Sequence, residues 1–101
     1  MAYPDRDEAL REGQAMKTAT MRGKRWNVRN VSALPIGELG ECNYDERTLR
    51  IPTDGDTEAE LDTCIHEALH GCLPDLAEDA VEETATSIAS LLWRLGWRKD
   101  P

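Results

Sequence analysis

The stretch Thr57-Glu58-Ala59-Glu60-Leu61-Asp62-Thr63-Cys64-Ile65-His66-Glu67-Ala68-Leu69-His70-Gly71-Cys72 decides how the chain is read. Thr57 to Glu60 has the form of a capping box, which starts a helix by satisfying its first free N–H groups. Leu61, Ile65, Leu69 and Cys72 then recur at helical spacing and form one apolar stripe. Within this helix His66-Glu67-Ala68-Leu69-His70 has the form H-E-x-x-H. Histidines four residues apart stand one above the other on the same face, where both imidazoles can reach a single metal ion. Glu67 projects about 100° around the helix from His66, beside such an ion, where it can take a proton from a metal-held water. The chain has two histidines, and both lie in this motif.

Working outward, Pro74 ends the helix, and Asp75-Leu76-Ala77-Glu78 repeats the capping-box pattern. A second helix is predicted from there to Leu95, with Gly96 just past its end. Its predicted apolar stripe is Val81, Ala85, Ile88, Leu92 and Leu95. The short connection makes the two helices an antiparallel hairpin. A catalytic zinc site takes three protein ligands and leaves one position open. No third histidine exists, so a carboxylate is expected, with Cys42 as the less favoured alternative. Counting outward from Pro74 puts Glu78 level with His70 and Glu82 level with His66, and geometry leaves both in contest. Small Ala85 and Ala89 would let the helices approach closely.

Before the helices the chain reads as strands. Trp26 to Val31 alternates apolar and polar residues, and Glu41–Tyr44 with Thr48–Ile51 forms a hairpin around Asp45-Glu46-Arg47. Asp5 to about Ala19 reads as an amphipathic helix carrying Ala9, Leu10, Gly13 and Met16, and Met21 to Lys24 as a turn. The expectation is a single α+β domain over 1–101, with a metal-binding core over about 41–95. It has an N-terminal helix, a three-stranded sheet and a helix hairpin.

At 101 residues, 40% hydrophobic and 32% charged, the chain suits one soluble core. No apolar run approaches a membrane span and no signal-peptide core opens the chain, so the expected compartment is cytoplasmic. Cys42, Cys64 and Cys72 lack C-x-x-C spacing and are expected to be reduced and buried rather than ligands. The net charge is −8. From Ile51 to Trp93 there are eleven Asp and Glu and no Lys or Arg. That acidity argues against nucleic acid as a partner and favours a divalent cation and a basic peptide or protein substrate.

A strand, a helix bearing H-E-x-x-H and a helix bearing a glutamate resemble the zincin metallopeptidases of the glutamate-ligand branch, the gluzincins. The chain is similar in particular to small bacterial and phage-encoded domains of the ImmA/IrrE-like group, over about Glu41 to Leu95. The resemblance implies Zn2+ on His66, His70 and Glu82, with Glu67 as general base in peptide-bond hydrolysis. Glu82 enters through Glu82-Glu83-Thr84-Ala85-Thr86-Ser87-Ile88, which follows a family pattern and departs from it at Thr86, where Asp or Asn is common. It also implies that strand Thr48–Ile51 offers an edge to an extended substrate. Candidates for an oxyanion donor are Tyr44, Arg47, Arg50 and Arg94. The alternative is a non-catalytic or regulatory zinc-binding module of the same shape.

Overall fold

The structure is a computed structural model and describes residues 17–31, 40–52 and 56–99. Its elements are β1 (Lys17–Met21), β2 (Lys24–Asn30), β3 (Glu41–Asn43), β4 (Thr48–Ile51), α1 (Glu58–Cys72) and α2 (Glu78–Arg94). The class is α+β, with strands first and helices after. The sheet has four strands rather than three, in the order β1-β2-β4-β3.

The added strand is β1, where the sequence reading ran a helix on to Ala19. The rest of that predicted helix lies outside the described residues. Arg22 and Gly23 have φ of 50° and 79°, a two-residue turn of the I′ kind whose twist matches paired strands. That turn folds Met21 back onto Lys24 and carries the pairing out to Lys17 opposite Val28. β2 then pairs in parallel with β4, Asn27 opposite Thr48 and Asn30 opposite Ile51. β3 closes the other side of β4 antiparallel, Glu41 opposite Arg50. The strand Thr48–Ile51 therefore lies inside the sheet and has no free edge, contrary to expectation. β3 is the outer strand beside α1 among the described residues.

Trp26, Val31, Leu49 and Ile51 are buried on the sheet, and Trp26 is the largest fully buried side chain. Burying such a side chain is worth roughly 2–3 kcal/mol. A Cβ at Gly71 would lie 3.0 Å from Cη2 of Trp26 and 3.1 Å from Cε of Met21. Glycine at this position lets the end of α1 settle on the indole. Arg22 finishes the contact by donating from Nη1 to the Cys72 carbonyl at 3.0 Å, placing a cation at the negative end of the helix.

Thr57 caps α1 as its sequence predicts, accepting from the Glu60 N–H at 3.1 Å. The second capping box does not form. Ala77 is the N-cap of α2 and makes no side-chain cap bond, while the Leu76 N–H closes a turn on the Leu73 carbonyl. The far end of α2 is a Schellman motif, with Gly96 N–H to Trp93 O and Trp97 N–H to Leu92 O, both 3.1 Å.

Asp62 meets Thr86, and His70 meets Glu78, so the helices run antiparallel as expected. The seam between them differs from the predicted stripe. Val81, Ala85 and Ala89 are buried, whereas Ile88 is exposed and Leu95 is 67% exposed. A spacing of four and four through two alanines brings the backbones close, which turns Ile88 and Leu95 outward. On α1 the most buried residues are Glu67 and Gly71, not the apolar stripe. No helix among the described residues is long and apolar enough to cross a membrane.

Candidate metal centre

His66 and His70 occupy the face of α1 that turns toward the first turn of α2. Their Nε2 atoms lie 3.2 Å apart and their rings meet edge to face, with centroids 4.9 Å apart. Glu78 spans the pair, with Oε1 at 3.0 Å from Nε2 of His66 and Oε2 at 3.1 Å from Nε2 of His70. These residues form a group whose ligand atoms all lie within 4.8 Å of one another.

Glu82, the residue chosen by resemblance, is not in that group. It is exposed one turn further along α2 and lines a shallow surface depression with Glu83, Thr86 and Ser87. Glu78 reaches both histidines because α2 begins there. From the first helical position its side chain points back across the connection, and it needs no partner one turn on. Of the two carboxylates that helix counting left in contest, the structure brings Glu78 to the histidines. Thr86, at the position where the pattern departs, donates from Oγ1 to Asp62 Oδ2 at 2.8 Å and ties the helices together two turns away from Glu78.

The three donors suit a small divalent ion. Each imidazole Nε2 carries at most one hydrogen. If both donate to Glu78, two N–H groups face each other across 3.2 Å. If one ring donates to the other, the accepting Nε2 still turns its lone-pair side to the carboxylate. If both lone pairs point inward, they repel each other and the carboxylate. A cation at the centre makes every one of these contacts favourable. Tetrahedral zinc with bonds of ~2.0–2.1 Å would set its ligand atoms about 3.3–3.4 Å apart, close to the separations here. The site is also open, since Glu78 is 59% exposed while the histidines are mostly covered.

Glu67 turns toward the sheet, at 9% exposure the most buried acid in the described chain. Burial raises its pKa above the ordinary carboxylate value, the nearby His66 and His70 oppose that rise, and Glu78 and Glu41 add to it. The carboxyl group therefore senses the histidines while packing under the backbone. A Cβ on Gly40 would lie 3.0 Å from Glu67 Cγ, 3.2 Å from its Oε2 and 2.9 Å from Thr63 Cγ2. Gly40 thus sets the wall against which Glu67 rests. The sequence reading did not single it out, and the glycine itself was the available signal.

All three cysteines are free and half-buried rather than buried as expected, and the histidine group consists of His66, His70 and Glu78. The Cys42 thiol, on β3, is pushed up to about 11 by burial first and then by the charges of Glu67, Cys72 and Glu41. Of the proposed oxyanion donors, Arg50 is committed to Glu41 at 2.9 Å. Arg94 lies sixteen residues along α2 from Glu78, about 24 Å at 1.5 Å per residue. Arg47 is exposed in the β3–β4 turn. Tyr44 is exposed and meets Trp26 edge-on, at 5.9 Å between centroids.

Comparison with known proteins found no matching family model, no similar curated protein and no similar solved structure.

Proposed function

We propose that the chain is a zinc-dependent peptidase of gluzincin type, with His66, His70 and Glu78 as the metal ligands and Glu67 as general base. The observation that carries the reading is the meeting of two Nε2 atoms and one carboxylate within hydrogen-bonding distance of each other, on the helix that bears H-E-x-x-H. Asp and Glu dominate both helices, which suits a basic, extended peptide as substrate.

Bound here, zinc would lower the pKa of a water and polarise a carbonyl. The remaining work belongs to the chain. His66 and His70 keep their Nε2 lone pairs directed at one point because both rings rise from a single helix face. Glu78 brings negative charge to the same point from the second helix, so the site forms only when the hairpin is closed. Glu67, held in a partly desolvated position, accepts the proton of the attacking water on its carboxylate and delivers it to the leaving nitrogen. The water oxygen bonds to the carbonyl carbon, the C–N bond breaks, and the products are a carboxylate and an amine. Tyr44 and Arg47 are the candidates left to donate to the carbonyl oxygen.

Zinc content and peptide cleavage test the reading together. The wild type should bind zinc and cleave a basic peptide library, and Glu67→Gln should bind zinc without cleaving. Zinc bound by a wild type that cleaves no peptide would favour the regulatory module, in which the metal fastens α1 to α2.

A further inference from the structure

At the end of the helix hairpin away from His70 and Glu78, a cavity of about 440 Å3 opens between the first half of α1, the last turns of α2 and the tail that follows. Leu61, Cys64, Leu92, Trp93 and Trp97 form its apolar walls. We propose that this cavity binds a small, uncharged aromatic molecule that carries one hydrogen-bond donor. The proposal is independent of the metal centre.

Size comes first. Small-ligand sites occupy about 300–1,000 Å3, and a cavity of about 150 Å3 already holds one benzene ring. The volume here suits two or three joined rings. Two indoles line the wall, and Trp97 is 63% exposed although it lines the cavity.

The tail is pinned, so the cavity is formed in advance. Arg98 lies 3.3 Å over the Trp93 ring and donates from Nη1 to the Trp93 and Trp97 carbonyls at 3.0 and 2.8 Å. The Lys99 N–H donates to Asp56 Oδ1 at 3.3 Å. These contacts hold residues 97–99 across the start of α1.

Charge at the rim selects against ions. Asp56 and Glu60 face Arg98 and Lys99, two acids against two bases, so the rim has no net charge. The polar requirement comes from Glu60. Its Oε1 is buried and has no hydrogen-bond partner among the described residues, with the Lys99 ammonium 3.8 Å away. A buried carboxylate oxygen without a donor is costly, so a ligand O–H or N–H placed there is favoured. The neighbouring ammonium disfavours a cation at the same point.

The test is a titration with 2-naphthol, followed through the indole N–H resonances of the three tryptophans. Trp26, buried on the sheet, serves as the internal control. Saturable shifts of Trp93 and Trp97 with Trp26 unmoved are expected, and Leu92→Trp or Cys64→Met, which fill the cavity, should abolish them. 2-Methoxynaphthalene, which has no donor, should bind more weakly by roughly tenfold or more, the worth of one hydrogen bond to a charged group. Glu60→Ala should remove that difference. No saturable shift at either tryptophan, or an equal shift at Trp26, overturns the site. Equal affinity for the two probes in the wild type overturns the role given to Glu60.

Discussion

The Nε2 atoms of His66 and His70 lie 3.2 Å apart, and one carboxylate, that of Glu78, reaches both. Two imidazoles from one helix and a carboxylate from the other meet at one point. Metal should therefore stabilise the fold. Free zinc at a hundredfold excess over its Kd adds about 2.7 kcal/mol. For a domain of this size that is a rise in Tm of roughly 10 °C or more. A thermal melt with zinc and with chelator measures it, and coincident melts would count against a metal that bridges the helices.

Glu67→Gln should keep the metal and the fold, because the amide has the shape of the carboxyl group. Peptide hydrolysis should fall by roughly 10²–10⁴, the range for loss of a general base. Equal turnover in the two proteins would remove Glu67 from the mechanism.

Gly40→Ala puts a methyl group within 3.0 Å of Glu67 Cγ and 2.9 Å of Thr63 Cγ2. The crowding should cost about 1–3 kcal/mol and push Glu67 from its position. Zinc content should be unchanged while kcat drops. Loss of zinc in parallel with activity would mean that Gly40 supports the helix hairpin rather than Glu67.

Cys42 gives a pH dependence with a definite sign. Its folded-state pKa, about 11, lies above the ordinary 9.0. Below pH 9 the thiol is protonated in both states and favours neither. Above it the unfolded chain ionises first, so stability falls as pH rises from about 9 to 11. Denaturant melts across that interval should show the loss, and Cys42→Ala should show less of it. The native thiol should also react slowly with iodoacetamide at neutral pH, since the thiolate is the nucleophile.

Much of the fold was legible in the residues. Thr57 and Glu60 marked the start of α1, Gly96 marked the end of α2, and the hairpin of β3 with β4 followed from alternation around a polar turn. β1 was missed because Lys17 to Ala19 carries no apolar alternation of its own, its residues being exposed on the edge of the sheet. The close approach at Ala85 and Ala89 was legible, but the stripe on α2 was misread because Ile88 and Leu95 are apolar at helical spacing and nevertheless turn outward. Helix counting kept Glu78 and Glu82 level with the histidines, and the likeness to a family pattern tipped the choice to Glu82. What brings Glu78 to the histidines is the start of α2. With Ala77 as N-cap and no side chain to fix it, the helix opens at Glu78 and aims that carboxylate back at α1.

The central claim is that His66, His70 and Glu78 hold one zinc ion. Metal analysis of the purified wild type beside Glu78→Ala and Glu82→Ala tests it most directly. One zinc per chain in the wild type and in Glu82→Ala, with its loss from Glu78→Ala, is the predicted result. Zinc retained by Glu78→Ala, or no zinc taken up by the wild type, would contradict it.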